Sequence, residues 1–432
     1  MLLSFRVANH GSLREPQELN FAPTYGEDDR PAVPVVAIFG ANASGKSTVV
    51  DAFEFFRGAV EKSQARWLPG APVRRRPFLL DHESRHEPSS YGVDLLLEGV
   101  RYVYGFSVTD TEVAEEWLYA YPKGRKRVLF ERDRMNMTYG ATLTGERVVV
   151  ERMMRPNSLY LSAGAQSSHG QLGAVWSAVS GSSVVGDGVR QAVVKAGAVV
   201  ALMYETFARG GLPLLGGDVL AVADLGVHGI RRGAERNAEF EAIKARQAGK
   251  PTWEEMPEDF KKAASQSMEF VHRVGDDEFA LPVDAESTGT KTWLTMITNA
   301  ITAILRGRSL WVDEIDVSLH PLLTAKLLTL FQNPELNPLG AQLVFTTHDA
   351  SLLGTMLGDQ VLRRDQVWFV EKDAGTGAST LYPLTDFKPR KGENFERRYL
   401  AGSYGAVPLL PDTAFEDMLK KYWGAHGEVV SA

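Results

Sequence analysis

The run Gly40-Ala41-Asn42-Ala43-Ser44-Gly45-Lys46-Ser47-Thr48 fits G-x-x-x-x-G-K-[ST] without a gap. The spacing has a chemical purpose: backbone N–H groups must wrap a polyphosphate, while the start of the following helix adds the positive end of its dipole. Gly40 and Gly45 permit the wrapping, Lys46 reaches the β- and γ-phosphates, and the Ser47 hydroxyl is a ligand for a bridging Mg²⁺. The pattern occurs by chance in ordinary loops, but here the β-branched run Val33–Phe39 leads in and an amphipathic stretch from Ser47 to about Val60 leads out. Strand, loop and helix in that order make this a Walker A phosphate loop.

Two later stretches add chemistry to nucleotide binding. Ser309-Leu310-Trp311-Val312 is an apolar strand that runs into Asp313-Glu314. Asp313 fits a Walker B aspartate, which holds Mg²⁺ through its water shell, and the adjacent Glu314 can orient and polarise an attacking water. Gln342 to Asp349 is a second apolar strand, ending at His348. This histidine is placed to hydrogen-bond a γ-phosphate or the lytic water, although a lone histidine is more often structural. The carboxyl ends of strands are where an open α/β sheet collects its ligand-binding residues.

The elements that must position these residues alternate along the chain. Leu2–Val7 and Gln17–Phe21 alternate apolar and polar around the turn residues Asn9-His10-Gly11-Ser12, which predicts two strands ahead of the phosphate-loop strand. Stretches starting at Tyr91, Arg101 and Glu112 read as strands, with Glu98-Gly99 as a hairpin turn. Arg127–Arg132 and Arg147–Val150 are expected to continue that antiparallel sheet. From about Ser158 to Val274 the texture becomes helical, with Gln171–Ser180, Val189–Ala208, Arg236–Ala248 and Trp253–Phe270 helix-compatible. A helix from about Thr292 to Leu305 follows the polar loop Glu286–Lys291. The expected division is residues 1–157, the N-terminal part of a head domain; 158–274, an inserted helical subdomain; and 275–432, the rest of the head.

Composition excludes several classes. With 432 residues, 44% apolar and 23% charged, the chain has the make-up of a globular protein with a sizeable core. A net charge of -7 argues against a wholly basic nucleic-acid coat. The absence of cysteine rules out disulfides, thiol catalysis and cysteine zinc sites. No basic n-region opens the chain, and no apolar stretch reaches the roughly 20 residues of a membrane span. A cytoplasmic protein with no membrane partner is expected.

Two signals compete with the phosphate-loop reading. His82-Glu83-Ser84-Arg85-His86 matches H-E-x-x-H, which on a helix would hold zinc. Pro77 and Pro88 flank it closely, so a helix that presents both histidines is not expected. The clusters Arg74-Arg75-Arg76, Lys123–Arg127, Arg231-Arg232 and Arg363-Arg364 would suit a phosphate backbone. Solvated loops are the blander account of them.

The set of motifs resembles the ABC-type ATPase heads of the SMC and OLD families. It is similar to a bacterial AAA-labelled, ABC-like ATPase family of abortive-infection and anti-phage systems, through Gly40–Ser47 and the late stretch Tyr399-Leu400-Ala401-Gly402-Ser403-Tyr404-Gly405-Ala406-Val407-Pro408. Asp313 to Pro321 looks like a joined Walker B and D-loop. The resemblance implies an α/β fold, an ABC/SMC-like P-loop NTPase head with an antiparallel β subdomain and an inserted helical subdomain. It implies ATP and Mg²⁺ as cofactors, with Ser47 and Asp313 on the metal, Glu314 as catalytic base and His348 as switch histidine. It also implies that Ser287 and Gly289 form a signature loop that touches the γ-phosphate held by a second subunit, although Glu286–Thr290 lacks the Leu-Ser-Gly-Gly form of transporters. ATP-dependent dimerisation of heads follows, with hydrolysis resetting the dimer. A single-chain alternative is an ATP-dependent DNA-binding protein or nuclease of the OLD/SMC type, but no Asp-x-Asp follows Val370-Glu371-Lys372-Asp373. The expected output therefore resides in a separate effector protein, with a nuclease as the expected kind and nucleic acid as a further candidate partner.

Overall fold

A computed structural model describes residues 1–25, 30–186, 226–232, 268–282, 285–317, 319–357, 361–390, 392–408 and 413–426. In chain order the first half gives β1 (Leu2–Ala8), β2 (Gln17–Asn20), β3 (Val35–Phe39), α1 (Lys46–Lys62), β4 (Ser89–Leu97), β5 (Val100–Val108), β6 (Val113–Tyr121), β7 (Arg127–Asp133) and β8 (Asn136–Tyr139). There follow α2 (Arg147–Met153), α3 (Tyr160–Gln166), α4 (Gly170–Ser180), β9 (Ser183–Val185), β10 (Val227–Arg232), β11 (Met268–Val274) and β12 (Asp277–Pro282). The last part gives α5 (Thr288–Arg306), β13 (Ser309–Val312), α6 (Pro321–Gln332), β14 (Gln342–Thr347), β15 (Val367–Lys372), β16 (Ser379–Pro383), α7 (Phe395–Leu400) and α8 (Ala414–His426).

Two large sheets sandwich α1. One is antiparallel, in the order β2-β1-β4-β5-β6-β7-β8; the other runs β16-β15-β3-β14-β13-β9 and is parallel except for β16. In the mixed sheet every residue of β3, β13 and β14 is buried, as expected when both faces are covered. Alternation then assigns the faces. Val35, Ala37 and Phe39 join a core with α5, α6 and α7, whereas Val36 and Ile38 join a second core with α1 and the antiparallel sheet. That second core centres on aromatic rings: Phe53 of α1 stacks on Trp311 of β13 at 3.9 Å, and Phe5 of β1 meets both edge-on. Gln342 ties the sheets through polar contacts, accepting from Leu2 N at 2.6 Å and donating to Leu2 O at 2.9 Å.

The expected Glu98-Gly99 hairpin is present, with positive φ at both residues (49° and 77°), as a type I′ turn requires. Arg147–Val150 departs from expectation: it is helical, not a sheet strand. Its β-branched residues favour a strand in isolation, but only Val150 finds a buried place, among core residues that include Leu159 and Tyr160. Packing of one side chain thus overrides propensity. In the range read as helical, α4 coincides with Gln171–Ser180, and β9 enters the mixed sheet beside β13. Val189–Ala208, Arg236–Ala248 and most of Trp253–Phe270 lie outside the described residues, while residues 268–270 open β11, so the end of that stretch is strand. β10, β11 and β12 form a three-stranded antiparallel sheet.

The competing motifs resolve locally. Residues 82–86 form a turn with His82 and His86 exposed, so the H-E-x-x-H match presents no zinc face. Arg75 is a buried strut, donating to Asp110 Oδ1 at 2.7 Å, Glu87 O at 2.6 Å and Arg85 O at 2.8 Å, and Arg76 pairs with Asp51 at 2.8 Å. Lys126 lies 3.6 Å above the Tyr119 ring. No helix among the described residues is long and apolar enough to cross a membrane.

Candidate functional site

The phosphate loop joins β3 to α1, and its two glycines are required sterically. A Cβ on Gly40 would come within 2.6 Å of Ser44 Oγ, and one on Gly45 within 2.6 Å of Ser12 Oγ. Gly45 also has φ 105°, outside the range of ordinary side-chain-bearing residues. It stands at the N-cap of the 17-residue α1 with no side-chain cap, so the positive end of the helix dipole faces the loop, Thr48 N alone of the first turn turning back to Gly45 O at 3.1 Å. Ser44 Oγ is buried without a hydrogen-bond partner, an orphan that a phosphate oxygen would satisfy. These features fit a nucleotide polyphosphate.

Strand order brings the remaining groups to the loop. β14 lies between β3 and β13, so His348 after β14 and Asp313-Glu314 after β13 emerge beside it on the same sheet edge. Lys46 Nζ donates to Gly40 O at 2.8 Å and Ala41 O at 2.9 Å, and lies 3.4 Å from His348 Nδ1. A cleft of about 440 Å³ is lined by Asn42 through Thr48 together with Ser12, Glu314, His348 and Lys372.

Asp313 is buried and accepts from Thr346 Oγ1 at 2.6 Å, while the same hydroxyl oxygen accepts from Glu314 N at 2.6 Å. Thr346 therefore holds the Asp313 carboxylate and the Glu314 main chain from the neighbouring strand. Glu314 itself has φ 47°, a left-handed conformation that costs a non-glycine residue of order 1–3 kcal/mol and turns it out of the strand direction toward the cleft. His348 N donates to Asp316 Oδ1 at 3.3 Å, tying the turn after β13 to the residue that follows β14.

Electrostatics follow from burial. Desolvation lowers Lys46 to about 8, against the pull of Glu314, Asp313 and Asp316. Burial and then the Lys46 charge lower His348, so it is neutral at pH 7. With Lys46 donating to Nδ1, the proton of His348 sits on Nε2, available to donate to an anionic oxygen. Ser47 and Asp313 are the residues that would hold Mg²⁺. Bound there, the metal would supply charge neutralisation between phosphate oxygens. Among the described residues no group of three or more His, Cys, Asp or Glu forms a metal cage.

The Lys46 shift predicts a pH effect. Phosphate favours the charged lysine, so the pKa rises on binding. Below about 8 the lysine is protonated with or without ligand, and no proton is exchanged. Above it the free lysine is neutral and binding takes up a proton, so ATP affinity falls by about tenfold per pH unit until the bound pKa is passed. Calorimetry at about pH 9 in buffers of different ionisation enthalpy is expected to give different heats. Buffer-independent heats there would mean that Lys46 is already charged.

Ser287 and Gly289 do not line this cleft. Ser287 caps α5, accepting from Thr290 N at 3.1 Å, and α5 starts four residues earlier than its apolar pattern suggests because of that cap. The residue before it, Glu286, is hydrogen-bonded by His272 of β11.

Ser12, Ser379 and Lys372 were not expected at the site. Ser379 Oγ donates to Ser44 O at 2.6 Å and lies 2.8 Å from Ser12 Oγ, which is 3.3 Å from Thr48 Oγ1. The late stretch stands behind the loop: Tyr399 stacks on Phe369 and meets Phe39 edge-on, and Tyr382 OH donates to Tyr404 O at 2.9 Å.

A family model described as "AAA domain, putative AbiEii toxin, Type IV TA system" matches residues 35–135 and 215–354, more than half of the chain. Both matched segments carry site residues, the phosphate loop in the first and Asp313, Glu314 and His348 in the second. No curated protein matches. Among solved structures, the Smc head domain with a coiled coil and joint derived from Pyrococcus yayanosii aligns at 11% identity, covering 90% of this chain and 99% of that one, with a TM-score of 0.35.

Proposed function

Because this chain belongs to the AAA-domain family that carries the AbiEii-toxin description, we propose that it binds and hydrolyses ATP with Mg²⁺, and that this cycle drives closure of two heads which governs a separate effector. The observation that carries the reading is the meeting, at one sheet edge, of Lys46, the Asp313-Glu314 pair and His348 around a phosphate-shaped loop. A pure ATP binder has no need of a second carboxylate beside Asp313, and Glu314 is held in a strained conformation. In the proposed cycle Lys46 and the α1 N-terminus hold the polyphosphate, Glu314 orients water, and the neutral His348 donates through Nε2 to the γ-phosphate. Ser287 completes the site from a second copy, which accords with its standing outside the cleft of its own chain. The effector assignment rests on the defence resemblance and on the lack of a second catalytic constellation in the sequence.

One experiment reads both levels. The Glu314→Gln protein, held in its ATP-bound state, is expected to associate in light scattering and to retain its effector when purified from its native cell. Ser287→Arg on that background should spare nucleotide binding and abolish association, since a bulky cation occupies the closing surface. Unchanged association would leave Ser287 as a helix cap only, and DNA or RNA cleavage by the isolated chain, abolished by a change outside the ATP site, would favour the single-chain nuclease.

A further inference from the structure

The nucleotide cleft has two flanks, and the groups assigned to hydrolysis occupy one of them. β14 and β15 lie on opposite sides of β3, so Glu314 and His348 reach the phosphate loop from the β14 side while β15 borders its other side. Lys372, the last residue of β15, lines the cleft from there. It stands directly opposite Ser379 in the β15–β16 ladder, and residues so paired share a face of the sheet. Ser379 shows where that face points. Its hydroxyl donates to Ser44 O at 2.6 Å and lies 2.8 Å from Ser12 Oγ, against the phosphate loop.

The Lys372 ammonium has no use within its own chain. Among the described residues no hydrogen bond or ion pair holds it, and the acids beside it in sequence are engaged elsewhere. Glu371 accepts from Tyr382 OH at 3.2 Å, and Asp373 accepts from Thr376 N and Oγ1, each at 2.7 Å. The charge is left for a ligand. Which phosphates it meets follows from the two ends of the loop. The γ-phosphate lies toward Glu314 and His348, on the β14 flank. Ser12 marks the other end, for its hydroxyl is 3.3 Å from Thr48 Oγ1 at the start of α1, where a phosphate loop cradles the α- and β-phosphates. We propose that Lys372 binds the nucleoside-proximal phosphates, the diphosphate that ATP and ADP share. This role rests on the ATPase reading above, which supplies the nucleotide and the direction in which it lies.

The test compares two nucleotides on the full chain. Lys372→Met keeps an unbranched apolar stem and removes the charge, and an unchanged melting temperature without nucleotide shows that the fold is intact. Calorimetry then measures ATP and ADP, each with Mg²⁺, against wild type and variant. Lys372→Met is expected to weaken both by the same factor, about tenfold, because the lost contact is to phosphates present in both. In steady-state turnover KM should rise while kcat is kept, which marks a group that holds ground state and transition state alike. Lys372→Arg, which restores the charge, should recover most of the affinity. Equal affinities for wild type and Lys372→Met would overturn the proposal. So would a loss confined to ATP, which would put Lys372 on the γ-phosphate. Both of those failures leave the ATPase reading standing, whereas a wild type that binds neither nucleotide would overturn the two together.

Discussion

Glu314→Gln is expected to bind ATP as the wild type does and to turn it over roughly 10²–10⁴-fold more slowly. The amide keeps the shape and length of the side chain but cannot take a proton from water. The supports of the residue are main-chain features, a backbone N–H held by Thr346 Oγ1 at 2.6 Å and a φ of 47°, which glutamine inherits. Lys46→Ala should fail in the opposite way. It removes the cation that rests 2.8 Å from Gly40 O and 3.4 Å from His348 Nδ1, and the loss appears in affinity because phosphate charge is left unneutralised. Equilibrium binding and single-turnover hydrolysis, measured for both variants, separate the two roles. Hydrolysis by Glu314→Gln at the wild-type rate would remove Glu314 as the base.

The readability of this site from sequence depended on how each residue reaches it. Gly40 through Thr48 are contiguous, and their types are dictated by the backbone wrapping they perform, so the motif carries its own geometry. The position of Asp313-Glu314 and His348 was legible because an apolar strand delivers each of them to the sheet edge beside the phosphate loop. Ser12 and Ser379 have no such signature: small polar residues in turns and strand ends are common, and only the approach of β16 to the phosphate loop makes a bond between Ser379 and Ser44. Thr346 is similar, for nothing in an apolar strand indicates that one hydroxyl supports the Asp313 carboxylate and the Glu314 main chain of its neighbour.

The fold shows the same division. Buried strands such as β3 and β14 are uniform apolar runs, and α1 starts where the loop glycines release it. Arg147–Val150 misleads because three consecutive valines satisfy a strand pattern, whereas the decisive fact is tertiary: Val148 and Val149 stay exposed and Val150 alone is buried. Glu116 is the clearest case of a residue that local pattern cannot explain. It sits in a strand that alternates like any other, yet it is a fully buried carboxylate.

Glu116→Ala is accordingly expected to cost about 3–5 kcal/mol of stability, a large share of the roughly 5–15 kcal/mol available to a folded domain. The carboxylate on β6 accepts from Tyr160 N at 2.6 Å and Leu161 N at 2.9 Å, the open first turn of α3. It also accepts from Tyr104 OH at 3.0 Å and pairs with Arg132 Nη1 at 3.3 Å, and that arginine in turn donates to Ser158 O at 2.6 Å. One carboxylate thus joins the antiparallel sheet to the chain entering α3. Burial raises the Glu116 pKa despite the opposing pull of Arg132, and burial lowers that of Arg132, so neither charge sits there without desolvation cost. The pair is therefore worth little more than an apolar replacement of the same shape, but breaking it leaves Arg132 charged and buried with main-chain carbonyls as its partners and no countercharge, and two helix N–H groups unsatisfied. Two comparisons follow. Glu116→Gln, which retains an acceptor for one N–H, should cost less than Glu116→Ala, and the double change Glu116→Leu with Arg132→Met should cost less than Glu116→Leu alone. Urea unfolding of these variants, analysed as a double-mutant cycle, decides the matter. If Arg132→Met added its full cost to Glu116→Leu, the two side chains would be acting separately, and the stability of this junction would have to come from the sheet and helix packing around them.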